Sequence, residues 1–158
     1  MFNIHRFSCL SLVTLLSLFS ANNIHHAYAE TNSDLTVIVN GIRNQTGEIC
    51  IGVHNSAQGF PDGNSSQTKS ACTPITGNTV KQVFTNLKPG NYAVVVLDDQ
   101  NGDRRLNKDF FGIPTEGFGI SKNPIVSIQT GTPKFHHVSF KLNKNTTINI
   151  NMKYSLDS

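Results

Sequence analysis

The block from Leu87 to Ser121 constrains the fold of this chain more than any other part of its sequence. It opens with a turn at Pro89 and Gly90 and continues with the run YAVVVL at Tyr92–Leu97, which is apolar on both faces. Such a run predicts a central strand that is covered on both sides. We also expect Gly90 to adopt a positive φ, because the Pro-Gly pair is typical of a type II turn.

Hydrophobic alternation predicts strands through most of the remaining chain. The segments Leu35–Val39 and Ile49–Val53 flank a turn at 44–47 and indicate a half-buried antiparallel hairpin. Further strands are predicted at Val80–Phe84, Phe135–Leu142 and Thr146–Tyr154. The polar segment 55–78 and the segment 98–134 are expected to be irregular. About seven short strands without a helix of consequence predict an all-β antiparallel sandwich, with a small closed barrel as the alternative.

The N-terminus has the pattern of a secretory signal peptide. An apolar run at Leu10–Phe19 precedes Ala27-Tyr28-Ala29, which fits the small-x-small cleavage rule. The run is too short to span a bilayer. We therefore expect residues 1–29 to be removed, leaving a single domain at 30–158 that is periplasmic or secreted and has no transmembrane segment.

The charge of the chain argues against nucleic acid as a partner. The formal net charge is +3, and it falls to +2 when Arg6 leaves with the signal peptide. Nucleic-acid binding normally needs a concentrated basic patch, which this balance does not supply. An unidentified protein or cell-envelope component is the expected partner.

Two cysteines, Cys50 and Cys72, remain after the predicted cleavage. In an exported protein a pair of cysteines predicts a disulfide, although two separate buried thiols are the alternative. Alternation places Cys50 on the strand face opposite the core, so Cys72 is expected on a loop that covers this face. Closing this loop would stabilise the fold by roughly 3 kcal/mol in the chain-entropy model.

An acidic loop follows the central strand and resembles a calcium loop in its spacing. The candidate ligands are Asp99, Asn101, Asp103 and Asn107. They occupy positions 1, 3, 5 and 9 of an EF-hand-like count, which would turn their oxygens onto one cation. Arg104 stands where the sharp turn needs Gly, and Phe110 stands where a bidentate Glu is usual. The favoured alternative is a solvated turn whose side chains cap backbone amides.

A segment rich in Phe and Gly follows the acidic loop. Phe110, Phe111, Glu116 and Phe118 make it a candidate ligand or partner loop. The favoured alternative is that the loop folds back and covers an edge of the sandwich with its aromatic side chains. Exported monomers seldom leave a large apolar patch exposed, which is the reason for this preference.

No set of residues has the spacing of a catalytic site. A hydrolase that uses Asp98, Asp99 and Glu116 is the least favoured hypothesis, because paired carboxylates need a cleft. His136 and His137 would point to opposite faces of the predicted strand, which does not favour metal ligation. We predict no catalytic residues and no cofactor, and calcium at the loop 99–107 is the alternative.

The block 87–121 resembles the bacterial exported family DUF2141, a domain of unknown function. The matching residues are Leu87, Pro89, Gly90, Tyr92, Ala93, Asp99, Asn101, Gly102, Leu106, Phe110 to Pro114, Glu116, Gly117, Gly119 and Ser121. The resemblance implies an immunoglobulin- or transthyretin-like sandwich and no activity. The chain departs from the family pattern at Arg104, where Gly is expected, at Asn107, where Asp is expected, and at Asp98, which is often His.

These observations predict an exported, non-enzymatic β-sandwich that acts as a binding or structural accessory module. The alternative function is a calcium-stabilised module that uses the loop 99–107.

Overall fold

The computed structural model describes residues 31–62 and 67–157 of the chain. The predicted signal peptide lies outside the described residues. Within them the chain forms eight strands and one short helix. These are β1 Ser33–Asn40, β2 Glu48–His54, β3 Gln67–Pro74, β4 Thr79–Leu87, β5 Gly90–Asp99, β6 Phe118–Ile120, α1 Phe135–Val138, β7 Phe140–Leu142 and β8 Thr146–Asn151.

The strands form two packed sheets. The smaller sheet has the order β4-β1-β8, and the larger has the order β3-β2-β5-β6, with β7 pairing the start of β5. This arrangement confirms the all-β sandwich class. One pair, β1 with β8, is parallel, while the others are antiparallel. In the described part of the chain no helix has the length and apolar character to cross a bilayer.

The core lies between the two sheets and follows from the alternation. Leu35, Val37 and Val39 of β1 are fully buried against the inward residues of the larger sheet. Successive strand residues point to opposite faces, so one apolar residue in two is enough to fill this layer. The inward residues of β5 are Tyr92, Val94 and Val96, which confirms the predicted face of the central strand.

The predicted hairpin of β1 and β2 is wrong. β1 pairs with β4 and β8, whereas β2 pairs with β3 and β5 in the other sheet. The connection crosses between the sheets, where Ile42 is buried and Gly47 takes a φ of +85°. Alternation determines which face of a strand is buried, but it does not determine which strand lies beside it.

The expectation of an irregular 55–78 segment is also wrong in part, because it contains β3. Cys72 lies on this strand, directly opposite Cys50, and not on a covering loop. The predicted disulfide is confirmed, with an S–S distance of 2.04 Å. An edge strand is held by backbone hydrogen bonds to one neighbour, so a polar sequence can form it.

The segment Phe135–Leu142 is not one strand. Phe135–Val138 forms a single helical turn, followed by the strand β7. The turn brings Phe135 and Val138 to one side, where both contact a second apolar cluster. His136 and His137 are both exposed, which corrects their predicted placement on opposite faces.

The predicted positive φ at Gly90 is wrong as well. Gly90 begins β5, and the left-handed residue near this connection is Asn86, with a φ of +61°. β4 and β5 belong to different sheets, so their connection is not a hairpin turn. The Asn86 N–H donates to the Asp34 carboxylate at 3.0 Å, which holds this conformation.

Candidate functional site

The outer face of the larger sheet, which points away from the smaller sheet, forms the floor of a groove. Two cross-strand rows run over this face: Cys72, Cys50, Leu97 and Phe118 in one, and Ser70, Gly52, Val95 and Ile120 in the other. β5 contributes apolar residues here because it is apolar on both faces. The Gln67 side chain lies over Gly52, within 2.6 Å of where a Cβ would stand, whereas Val95 is only partly buried and gives access to the floor.

Two irregular segments form the walls of this outer groove. Residues from segments 104–114 and 126–133 line it, and together with the floor they border an open groove of about 1110 Å³. Phe111 on the first wall is 82% exposed, and Ile128 on the second is 76% exposed. The groove therefore has apolar side chains both at its floor and along its rim.

The charges that line the outer groove are mainly positive. Arg104, Arg105 and Lys108 lie on the first wall, and Asp62 is the one carboxylate among the described lining residues. The salt bridge found in the described part of the chain joins Lys153 to Asp157 and involves none of the three wall cations. The wall thus presents cationic groups beside an apolar floor.

A second apolar cluster covers part of the outer face and borders the groove, with which it shares Phe118, Ile120 and Val126. It contains Ala93, Phe118, Ile120, Val126 and Val138, with Phe60, Leu106, Phe135 and Leu156 packed against them. The ring of Phe60 makes edge contacts with Phe135 at 5.8 Å and with the buried His54 at 5.2 Å. Burial lowers the pKa of His54, because the charged imidazolium is disfavoured away from water.

The acidic loop 99–107 forms the base of the cationic wall. The buried carboxylate of Asp99 accepts the backbone N–H groups of Gly102 at 2.8 Å and Arg104 at 2.9 Å. The Asn101 and Asn107 side-chain amides both donate to Asp103, at 3.1 and 3.2 Å. These bonds are those of the capping alternative. Calcium binding by the same residues stays a prediction.

Arg104 adopts a φ of +58° in this loop. The left-handed conformation is the one that Gly readily provides at the sharp turn of a calcium loop. Arg104 therefore adopts the backbone conformation of the Gly that is usual at this position, and it adds a positive charge there. The hydrogen bond that the Arg105 backbone N–H donates to the Asp103 carboxylate is the main cause of the lowered pKa of Asp103.

Glu116 closes the acidic loop. It is nearly buried, and its two carboxylate oxygens accept the N–H groups of Gln100 at 3.1 Å and Asn107 at 3.0 Å. One side chain thus fixes both ends of the loop. The sequence had suggested Glu116 for a ligand or partner loop, but the structure places its carboxylate inside the protein.

Residues 107–115 form a small hairpin, which we call the Phe hairpin. Thr115 N–H donates to the Asn107 carbonyl at 2.9 Å, and Asp109 accepts the N–H groups of Phe111 and Ile113. Its tip carries Phe110, which is 97% exposed, beside the exposed Phe111. The expectation that the aromatic residues fold back is wrong for these two and correct for Phe118, which is 5% exposed.

A partly buried polar network around the buried Asp98, which the sequence did not predict, anchors β5 to the C-terminal segment. Asp98 accepts hydrogen bonds from the Tyr154 hydroxyl at 2.5 Å, from Asn44 at 3.0 Å and from Gln100. The Arg43 N–H donates to the same hydroxyl at 2.9 Å. Desolvation, together with the bond to Asp98, raises the pKa of Tyr154 to about 12.

Gly117 explains part of the Gly-Phe-Gly pattern. A Cβ on Gly117 would lie 2.5 Å from Cε1 of Tyr154, which is far inside van der Waals contact. Tyr154 can therefore reach Asp98 only if residue 117 has no side chain. No spacing in the sequence connects residues 98, 117 and 154, so the network becomes visible only when the chain is folded.

Apart from the acidic loop, the described residues contain one cluster of side chains that could ligate a metal ion. The one group found there with ligand atoms within 4.8 Å of one another consists of Glu48, Cys50 and Cys72. Both cysteines are in the disulfide, so neither offers a thiolate. The disulfide itself is compatible with an oxidising compartment.

The comparisons with known proteins identify a family. Neither the curated proteins nor the solved structures gave a match. Residues 37–149, which run from β1 into β8 and include both the groove and the acidic loop, match DUF2141, described as an uncharacterized protein conserved in bacteria. This match covers well over half of the sequence, and the chain therefore belongs to the DUF2141 family.

Proposed function

We propose that this protein is an exported, non-enzymatic binding module whose ligand occupies the outer groove. The observation that carries the proposal is the groove of about 1110 Å³ with its apolar floor and exposed apolar rim. Small-molecule sites are concave and mostly apolar, with volumes of about 300–1,000 Å³, so this groove is large enough for such a ligand. Contiguous exposed apolar surface on a monomer commonly marks an interaction site.

Export is supported by the signal-peptide pattern and by the Cys50–Cys72 disulfide. Disulfides form and persist in the periplasm and outside the cell, whereas cytosolic thiols are kept reduced. The intact mass of the exported protein tests this step. We expect the mass of a chain that begins near Glu30, reduced by the two hydrogens that are lost when the disulfide forms. An uncleaved N-terminus or two free thiols would contradict it.

The non-enzymatic character is supported by the state of the carboxylates that a hydrolase would use. Asp98 accepts the Tyr154 hydroxyl, Asp99 accepts two backbone amides, and Glu116 accepts two more. A general acid or base must reach the substrate with a free position. Internal hydrogen bonds hold these three carboxylates in structural roles.

A neutral fluorescent probe of apolar sites, 1-N-phenylnaphthylamine, tests the groove. The wild-type protein should raise the fluorescence of the probe. Val95→Glu should abolish this increase, because it places a charge in the floor. Val83→Glu is the matched control, since Val83 is partly exposed on the smaller sheet.

A second variant distinguishes a blocked groove from a misfolded protein, because Val95→Glu could also lose probe binding by unfolding. Ser70 is exposed at the groove, so Ser70→Trp should fill it while the protein keeps its melting temperature. Thr147→Trp, on the exposed face of β8, should leave probe binding unchanged. Probe binding that survives both Val95→Glu and Ser70→Trp would overturn the proposal.

A calcium-stabilised module is the second candidate function. It is favoured by the left-handed Arg104, which gives loop 99–107 the turn that a calcium loop requires. Asn101, Asp103 and Asn107 also lie within hydrogen-bond distance of one another. Arg104→Gly tests this candidate, because removing the positive charge should increase the calcium-dependent rise in melting temperature. An Arg104→Gly protein that melts identically in calcium and in chelator would exclude it.

A further inference from the structure

The apolar part of the outer groove is a trough. Its floor includes two adjacent cross-strand pairs, Leu97 with Phe118 and Val95 with Ile120. The row through Leu97 continues across Cys50 of β2 to Cys72 of β3, while the Gln67 side chain covers Gly52 in the other row. Four strands at a spacing of about 4.8 Å span roughly 14 Å, so the trough is extended along this direction. An extended apolar chain would bury more of its surface here than a compact ring.

The charges of the groove are concentrated on one wall. Arg104 and Lys108 have no carboxylate within 4.0 Å among the described residues, while Arg105 lies near Asp103. Asp62 is the one acidic side chain among the described lining residues. The cationic groups therefore stand beside the apolar floor with little compensation, which favours an anionic ligand group.

The backbone that carries these cations is held in place. Asp99 accepts the Arg104 N–H at 2.9 Å, and Glu116 accepts the Asn107 N–H at 3.0 Å. The backbone of the wall does not need to be ordered when a ligand arrives, which lowers the cost of binding. Phe111 and Ile128 extend the apolar surface along both sides of the trough.

We propose that the outer groove binds a single-chain amphiphile with a carboxylate head, such as a long-chain fatty acid. The chain lies over Val95 and Leu97, and the carboxylate is bound by the cations of the 104–108 wall. Arg is suited to this role because its planar guanidinium forms paired hydrogen bonds to a carboxylate. The inference rests on the proposed function, since it names the ligand class of the same groove.

Three ligands with the same chain and different heads test the proposal: dodecanoate, dodecanol and dodecyltrimethylammonium, each below its aggregation limit. Their affinities are measured by displacement of 1-N-phenylnaphthylamine from the protein. Dodecanoate should bind at least about tenfold tighter than dodecanol, and dodecyltrimethylammonium should bind most weakly. The preference for dodecanoate should decrease as salt is added, because salt screens exposed charges.

A variant without the three wall cations measures how much they contribute to binding of the carboxylate. Arg104→Gln, Arg105→Gln and Lys108→Gln together should bring the affinity for dodecanoate down to that for dodecanol. The matched control removes three exposed lysines elsewhere, Lys81, Lys88 and Lys141, and should keep the preference for dodecanoate.

The outcomes separate the two proposals. Equal binding of dodecanoate and dodecanol by the wild type would overturn the carboxylate inference and leave the groove as a binding site. Failure of the wild type to bind the fluorescent probe would overturn the proposed function as well. A preference for dodecanoate that survives in the wall variant would also overturn the assignment of its head to these cations.

Discussion

On the inner face of the larger sheet, Ile51 and Val96 are buried against the residues of β1. On the outer face of the same strands, Val95 is only partly covered, and the covering segments are attached by a smaller apolar cluster and by polar groups. The inner face is held by apolar burial. The outer cover is held by the second apolar cluster and by the hydrogen bonds of Asp99, Glu116 and the Asp98–Tyr154 pair, and it leaves room for a groove.

The largest difference in unfolding free energy should come from truncating an isoleucine to alanine, once in the core and once at the outer groove. Ile51→Ala in the core should lower the free energy of unfolding by about 2–5 kcal/mol, because it leaves a cavity. Ile128→Ala on the groove wall should change it by no more than about 0.5 kcal/mol. Urea denaturation of both variants measures this contrast. Equal losses would show that the outer cover is packed like the core.

The disulfide should account for much of the stability of the β2–β3 edge of the larger sheet. Its cysteines are separated by 22 residues, so Cys50→Ala with Cys72→Ala should cost roughly 3 kcal/mol in the chain-entropy model. Urea denaturation at neutral pH measures the loss. Reduced wild-type protein serves as the second sample and should match the double variant. A loss below about 1 kcal/mol would mean that β3 is held by its backbone pairing alone.

Asp99→Ala should cost about 1 kcal/mol, as expected when a capping carboxylate is removed. If Asp99 only caps the acidic loop, the melting temperature falls equally in calcium and in chelator. Asp109→Ala is the matched control, since Asp109 caps the Phe hairpin outside the proposed ligand set. A loss for Asp99→Ala that occurs only in calcium would instead support the calcium-stabilised module, because ligand binding stabilises only the native state.

The smallest effect should appear at alkaline pH. The pKa of Tyr154 is raised to about 12 from an unfolded value of about 10. The stabilisation from protonated Tyr154 is therefore complete below pH 10 and is lost as the pH rises toward 12. The difference in unfolding free energy between wild type and Tyr154→Phe should shrink over this range. A constant difference would argue that the hydroxyl does not hold the outer cover.

The alternation of β1 and β2 and the doubly apolar β5 predicted the class of fold, because side-chain direction in a strand has a fixed period. The same pattern could not predict that β1 and β2 lie in different sheets. Strands pair through backbone hydrogen bonds, and these are the same for any side chain, so alternation does not identify the neighbouring strand. The loop 99–107 could be predicted as a polar turn. Its closure by Glu116 could not, because that contact joins residues from separate segments.

The sequence by itself determined the sandwich, the buried face of each main strand and the pairing of Cys50 with Cys72. These properties depend on local periodicity and on the small number of cysteines. Only the tertiary structure decided that Phe118 is buried while Phe110 and Phe111 are exposed, although all three lie in one Gly-rich segment. The burial of a loop residue depends on which surface its backbone reaches, and here the Asp109 turn directs the hairpin tip outward while β6 pairing brings Phe118 onto the sheet.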